Sequence, residues 1–256
     1  VTTFLFRIKS LFRFDFRHFL PKPKTVLRIL FLGLSPFIMS VTESAIQIVF
    51  NNNLKHWSGG NTDYTAAVTI MLSAIQIVCM PLNGLGTGIQ PLVSYNYGSG
   101  NSDRIRKTVK IAALAALCCS TTVWAVSLFA PQIYGYLFSA EPPVMELIRK
   151  NMPYFMAGTI FFFAQMTLQN VFIALNQAKI SIFLACLRKV ILLIPLCFLL
   201  PYKFGAEGVF YSEGIADTIA GIVTATTFFV MLPKILKKRE AALAEARARE
   251  TESKAE

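Results

Sequence analysis

The chain has 256 residues, of which 54% are hydrophobic and 22 are phenylalanine, and its mean hydropathy is +0.53. This composition is far more apolar than that of a soluble globular domain and favours a membrane protein. The net charge of +11 does not indicate a nucleic-acid partner, because the 25 Lys and Arg residues lie between apolar segments and in the tail and form no basic stripe.

Six apolar segments follow one another along the chain, and each approaches or exceeds the roughly 20 residues that a helix needs to cross about 30 Å of hydrocarbon. They cover residues 26–50, 64–93, 109–138, 152–175, 180–200 and 208–232. Backbone groups in lipid must be paired within their own segment, and these runs lack the alternation of barrel strands. The sequence therefore predicts an all-α polytopic membrane protein with a six-helix lobe over residues 26–232.

The two flanks of this lobe are charged. Residues 1–25 interleave Phe with basic residues, which suits a lipid headgroup region, and residues 233–256 suit a solvated helix. All but four of the 25 Lys and Arg residues fall on one predicted side of the bundle. The opposite side holds Lys55, Arg149, Lys150 and Lys203. The positive-inside rule therefore predicts that both chain ends are cytoplasmic.

The patterns of soluble enzymes and of metal sites do not occur in the sequence. The five Cys lie inside apolar runs without C-x-x-C spacing, and there are only two His. We interpret the thiols as buried structural groups. Because there is also no nucleophile elbow and no P-loop, we expect no enzymatic activity, no cofactor and no metal site.

Ionisable residues inside the predicted spans are the main functional signal, because such groups mark ion or substrate paths. Glu43 lies midway along the first span, with Gln47 on the same face one turn later. Glu213 and Asp217 form an i, i+4 pair in the last span. We predict that Glu43 and Asp217 bind a cation on such a path, whereas Glu213 lies near the outer end and reaches water. The alternative for Glu43 is a structural, protonated carboxyl hydrogen-bonded to a neighbouring helix.

Two cations and three prolines complete the unusual residues of the spans. We expect that one of Arg188 and Lys189 extends to the headgroups and that the other pairs with an acid or with helix-end carbonyls. Pro36, Pro81 and Pro195 are expected to interrupt the first, second and fifth spans, as in the broken helices of transporters.

One stretch carries a family resemblance. The segment PLNGLGTGIQPLVSYNYGSGNSDRIRK, residues 81–107, closely resembles the signature of the multidrug and toxic compound extrusion (MATE) family. The matching residues are Gln90, Pro91, Asn96, Tyr97, Gly98, Ser99 and Arg104. We interpret this signature turn as a cytoplasmic hinge between two helices, and we expect Gly84, Gly86 and Gly88 to allow close helix packing.

The resemblance extends over residues 1–233 but covers only the second of the two six-helix lobes in the family's twelve-helix fold. It implies that residues 1–25 contain the end of a preceding helix and the loop between the lobes, and that an N-terminal six-helix lobe is the missing partner. It further implies antiport driven by protons or sodium ions, which exports drugs and other organic cations across the bacterial plasma membrane by alternating access.

The resemblance also implies roles for individual residues. Glu43 matches the acid on the seventh helix that is implicated in cation coupling. A second acid expected on helix ten is replaced near Gln165, which argues against a two-carboxylate sodium site and favours proton coupling or coupling through the absent lobe. The residues expected to line the substrate cavity are Gln47, Gln165, Gln169 and Asn170.

Two other functions stay open. A flippase for lipid-linked precursors in the same superfamily would share the lobes, but it needs a more basic central cavity, for which only Arg188 and Lys189 are available. The chain is alternatively a non-transporting fragment that requires a partner lobe.

Overall fold

The computed structural model describes residues 23–253, and these residues contain helices and turns but no β-strand. The predicted basic segment 1–25 lies outside the described residues except for its last three positions, which begin the first helix. The chain divides into two units, Val1–Val41 and Thr42–Glu256. The described part of the first unit is helical, and all contacts given below lie within the second unit.

The elements follow one another as an all-helical chain. The helices are α1 (Pro23–Trp57), α2 (Thr62–Ser99), α3 (Ser102–Phe129), α4 (Gln132–Leu137), α5 (Pro142–Phe155), α6 (Gln169–Ala174), α7 (Ala178–Cys186), α8 (Ile194–Leu199), α9 (Pro201–Phe204) and α10 (Glu207–Ser253). A 3-10 turn (Ala157–Phe161) and a first π segment (Phe163–Leu168) join α5 to α6. A second π segment (Leu187–Leu193) joins α7 to α8.

Four helices in the described part of the chain are long and apolar enough to cross a membrane. They are Thr62–Ser99, Ser102–Phe129, Lys179–Phe204 and Glu207–Glu245. The pair Pro142–Phe161 and Phe163–Ala174 is bent by 41° and counts as a fifth span if it is taken as one unit. The first predicted span lies within α1, which is not one of these helices. The predicted all-α, multi-pass membrane fold is confirmed.

The distortions of the helices do not follow the prolines alone. The expected interruption at Pro81 is wrong, because α2 passes both Pro81 and Pro91 without a break. The carbonyls that proline leaves free in a membrane helix are satisfied by local adjustment. The distortion expected near Pro195 is present, because the second π segment ends two residues before this proline. The bend in the fourth span was not predicted.

Glycines set how closely the bent fourth span approaches α10. A Cβ atom on Gly158 would overlap Asp217 Cβ and lie 2.8 Å from Thr218 N, and a Cβ on Gly214 would overlap the carbonyl oxygen of Tyr154. Only glycine permits this backbone separation, since small residues allow membrane helices to pack closely. The contact fixes Asp217 against the 3-10 turn.

The close helix packing expected at three glycines of α2 is present at one of them, Gly86. A Cβ on Gly86 would lie 2.5 Å from Asn170 Nδ2 and 2.8 Å from Met166 O. Gly84 and Gly88 have no neighbour within 4 Å of such a Cβ in the described lobe. The close contact between α2 and the fourth span therefore depends on Gly86 alone among the three.

Candidate functional site

Three ionisable side chains meet inside the lobe, and we call Arg188, Glu213 and Asp217 the charge cluster. Arg188 belongs to the second π segment, and the two acids lie one turn apart on α10. Arg188 Nε donates a 2.5 Å hydrogen bond to Asp217 Oδ1, and Arg188 Nη2 lies 3.5 Å from Glu213 Oε1. The exposed fractions are 8% for Arg188, 2% for Glu213 and 1% for Asp217. The cluster is therefore removed from solvent.

This geometry tests two expectations from the sequence. Of the two neighbouring cations, Arg188 pairs with acids, as expected for one of them, while Lys189 is half-buried. The expectation that Glu213 reaches water is wrong. The second π segment packs against α10 and covers the face that carries both acids.

Neighbouring residues hold the charge cluster in place. The guanidinium of Arg188 lies 5.1 Å from the ring centroid of Phe162, a favourable cation–π position. Gln165 Nε2 donates a 2.9 Å hydrogen bond to the carbonyl oxygen of Asp217. Together with the close approach at Gly158, these contacts leave Asp217 little freedom to move.

The charge cluster is not fully satisfied. Glu213 Oε2, Asp217 Oδ2 and Gln165 Oε1 are buried and have no hydrogen-bond partner among the described residues. One guanidinium faces two carboxyl groups, so two ionised acids would give the cluster a net charge of about −1 in an apolar interior. Burying such a charge is costly, and the arrangement therefore favours the uptake of one further positive charge.

A second feature is a polar stripe on the first two helices, formed by Glu43 and Gln47 of α1 and Gln76, Asn83 and Thr87 of α2. All five side chains are exposed in the described lobe. Glu43 and Gln47 are four residues apart, and Gln76, Asn83 and Thr87 follow one another at seven and four residues, which places the polar groups of each helix on one face of that helix. Polar groups on spanning helices face water or protein and not hydrocarbon. The amides of α2 are functional candidates that the sequence interpretation missed, although Gln76 and Asn83 lie seven residues apart in an apolar run.

The two features are linked through Glu43, whose charge acts on Glu213. The predicted cation-coupling residues Glu43 and Asp217 thus lie in different surroundings, one exposed and one ion-paired. Their roles in cation coupling stay predictions.

The predicted cavity residues of the fourth span bond to the backbone of the lobe. Gln165 is buried beside Asp217, Gln169 Nε2 donates to Ser181 O at 3.0 Å, and Asn170 Nδ2 donates to Met166 O at 2.6 Å. Only Gln47 of the predicted set lies on the polar stripe. The assignment of these residues to a substrate cavity stays a prediction.

The signature turn has a defined geometry. Gly100 adopts φ 77°, and its backbone caps α2, while the side chain of Asn101 accepts a 3.4 Å hydrogen bond from Arg104 N at the start of α3. Asn96 is buried and donates from Nδ2 to Leu92 O at 2.8 Å. Gln90 and Tyr97 are half-buried, and Pro91, Gly98 and Arg104 are exposed.

Arg239, from the predicted tail, binds this turn. Its Nε donates to Tyr97 O at 3.1 Å, its Nη2 donates to Gly98 O at 3.2 Å, and its guanidinium lies 5.3 Å from the ring centroid of Tyr97. The sequence offered no signal for this contact, because Arg239 is one of several charges in the tail and its partners are backbone carbonyls.

A multi-pass helical lobe with a buried charge cluster and an exposed polar stripe is typical of membrane transporters. The family model described as MatE matches residues 36–199, which is more than half of the chain. The chain therefore belongs to the MATE family of transporters.

Relatives and solved structures agree with this assignment. The chain is 26% identical to the multidrug export protein MepA of Staphylococcus haemolyticus (strain JCSC1435) over 214 residues, which are 82% of this chain and 45% of that protein. An outward-facing multidrug resistance MATE family transporter of the MOP superfamily superposes with a TM-score of 0.77 at 19% identity, over 92% of this chain and 53% of its own. The MATE multidrug transporter DinF-BH superposes with a TM-score of 0.69 at 26% identity, over 82% of this chain and 46% of its own. The chain spans about half the length of these relatives.

Proposed function

We propose that this chain is one lobe of a transporter that exports drugs and other amphipathic organic cations in exchange for protons or sodium ions. The transporter lies in the bacterial plasma membrane, with both ends of the chain in the cytoplasm, as the distribution of Lys and Arg supports. The partner in this proposal is an N-terminal six-helix lobe, because each relative is about twice as long as the matched region.

The observation that carries the proposal is the polar stripe. Three exposed polar groups lie on α2, which is long and apolar enough to span the membrane, and an exposed carboxyl and an exposed amide lie on α1. Such groups require an aqueous cavity or a second lobe opposite them. Met80 lies on the same face of α2 and is 70% exposed. Flexible apolar groups such as methionine adapt to varied ligands, and Glu43 supplies a negative charge for a cation. Such a surface suits amphipathic organic cations.

The structure favours export of cations over transport of lipid-linked diphosphates. A diphosphate needs exposed positive charge, and Arg188 was one of two cations available for that role. Arg188 is instead 8% exposed and paired with Asp217 and Glu213. The exposed charge on the polar stripe is the acid Glu43.

Transport by the protein in its full encoded length tests the proposal. Proteoliposomes are loaded with a fluorescent organic cation, and proton and sodium gradients are imposed separately. We expect efflux under one of the two gradients, and we expect Glu43→Gln to reduce it to the level of empty liposomes. Glu146→Gln removes an exposed acid of α5 and serves as the control with unchanged efflux. Absence of efflux under both gradients contradicts the function, and unchanged efflux in Glu43→Gln contradicts the role of Glu43.

A further inference from the structure

The charge cluster has one more acid than it has cations, and its two acids are held differently. Arg188 Nε is hydrogen-bonded to Asp217 Oδ1 at 2.5 Å, whereas Arg188 Nη2 lies 3.5 Å from Glu213 Oε1, beyond the usual N–H···O range. Asp217 is also fixed by Gln165 and by the contact at Gly158. Asp217 is therefore the hydrogen-bonded partner of Arg188, and Glu213 is held only by the longer contact.

The surroundings of Glu213 do not compensate for the excess charge. The ionisable groups that act on it from neighbouring elements are Asp217 of α10, Arg188 and Lys189 of the second π segment, Glu43 of α1, Cys79 of α2 and Cys197 of α8. Outside the charge cluster, Lys189 and Glu43 carry opposite charges and act on Glu213 in opposite directions, and neither forms a salt bridge with it among the described residues. Glu213 therefore has no second cation in contact with it that would replace Arg188.

We propose that Glu213 binds a proton inside the charge cluster and that this proton is the one released and rebound during transport. The first statement rests on the geometry of the cluster, and the second rests on the proposed function. Proton binding makes the cluster neutral, with an ionised Arg188–Asp217 pair and an uncharged Glu213.

The unpartnered oxygens show where the proton fits. A protonated Glu213 gains an O–H donor, and the unpartnered acceptor one turn further along the same face is Asp217 Oδ2. Side chains four residues apart on a helix are neighbours, and the proposal places the proton of Glu213 on the side that faces Asp217. With the proton on Glu213 Oε2 and Asp217 Oδ2 as its acceptor, one hydrogen bond would satisfy two buried oxygens that have no partner among the described residues.

The position of Glu43 explains how a drug would compete with this proton. Glu43 is exposed on the polar stripe, and its charge acts on Glu213. An organic cation bound at Glu43 reduces the negative potential at Glu213 and thus favours release of the proton. Loss of the drug reverses the effect. Such mutual exclusion of two cations is what an exchange mechanism requires.

Infrared spectroscopy of the protein in its full encoded length, in lipid at neutral pH, tests the proton site without transport. The carbonyl stretch of protonated carboxyl groups reports how many acids of the cluster carry a proton. We expect one in the wild type and none in Glu213→Gln. We expect none in Asp217→Asn, because Arg188 then pairs with Glu213 alone. Arg188→Gln should show two, and Glu146→Gln, which removes an exposed acid of α5 outside the charge cluster, is the control and should keep one.

If the carbonyl band of the protonated carboxyl persists in Glu213→Gln, Glu213 is not the proton site. If the wild type lacks this band, both acids are ionised and the proposal is also wrong. A band that disappears when sodium is added at constant pH also overturns it, because sodium is then the bound cation. If Arg188→Gln does not fold, the contrast between Glu213→Gln and Glu146→Gln decides whether Glu213 carries the proton.

Transport then tests the use of the proton. In the proteoliposomes described above, Glu213→Gln should lose efflux driven by a proton gradient, while binding of the organic cation at equilibrium is retained. If the infrared band is lost but proton-driven efflux is unchanged, the proton does not take part in transport, and the proposed function stands without it. If the wild type transports nothing, the proposed function fails while the infrared result for the site remains valid.

Discussion

Gly158 shows how a single missing side chain positions the charge cluster. Its backbone approaches Asp217 so closely that a Cβ atom would overlap Asp217 Cβ and crowd Thr218 N. We expect Gly158→Ala to lower the stability of the transporter by about 1–3 kcal/mol, the usual cost of overpacking. The measurement is the melting temperature in detergent.

Gly84→Ala is the matched control, because Gly84 lies inside α2 with no neighbour near its Cβ position in the described lobe. Alanine favours a helix over glycine by about 1 kcal/mol, so this variant should melt at an equal or higher temperature. Equal losses in the two variants would show that the contact between Gly158 and Asp217 does not limit packing.

At the level of residues, the sequence indicated which side chains in the spans are ionisable and how they are spaced along each helix. The i, i+4 relation of Glu213 and Asp217 and the presence of a paired cation in the fifth span could be predicted, because both follow from helical periodicity and the cost of buried charge. Which acid binds Arg188 tightly could not be predicted. That choice depends on the approach at Gly158 and the hydrogen bond from Gln165, which are tertiary contacts.

At the level of elements, the C-terminal part of α10 has a role beyond that of a solvated tail. The helix continues past the last predicted span to Ser253, and Arg239 binds the carbonyls of Tyr97 and Gly98 in the signature turn. Leu243 covers Gly100, whose Cβ position lies 2.5 Å from Leu243 Cδ1. The turn between α2 and α3 is therefore held by the end of the chain's last helix.

This contact predicts a local effect of Arg239→Ala. Loss of two hydrogen bonds and of the guanidinium over Tyr97 should increase amide hydrogen exchange in residues 97–101, with little change elsewhere in α2. Lys238→Ala, which removes the neighbouring exposed cation, should leave that exchange unchanged. Identical exchange in Arg239→Ala and the wild type would show that the turn is stable without the contacts of Arg239.

The positions of the helices could be predicted from hydropathy, but their distortions could not. Long apolar runs must form helices in lipid, and the described residues of the predicted segments are largely helical, although only four helices, or five with the bent pair, are long and apolar enough to cross a membrane. The bend in the fourth span and the second π segment depend on how these elements pack against α10. Proline was a poor guide, because Pro81 and Pro91 lie within an unbroken helix.

At the level of the whole molecule, the exposed surface has two different kinds of face. Apolar side chains such as Ile222 of α10, 47% exposed, suit contact with lipid tails. The polar stripe does not suit lipid, and in a complete transporter it should border the aqueous path between two lobes. Under the proposed function, the polar stripe is therefore the face that meets the partner lobe and the solute.

Reactivity of introduced cysteines distinguishes these faces. In a full-length variant without native cysteines, a membrane-impermeant maleimide should modify Asn83→Cys and Gln47→Cys, because a thiol must reach water to ionise and react. Ile222→Cys, the control on the lipid face, should stay unmodified although it is exposed in the lobe. An excess of a transported organic cation should slow modification at Asn83→Cys, since the cation and the reagent compete for the same cavity. Equal modification at Ile222→Cys and Asn83→Cys would contradict the assignment of the polar stripe to the transport path.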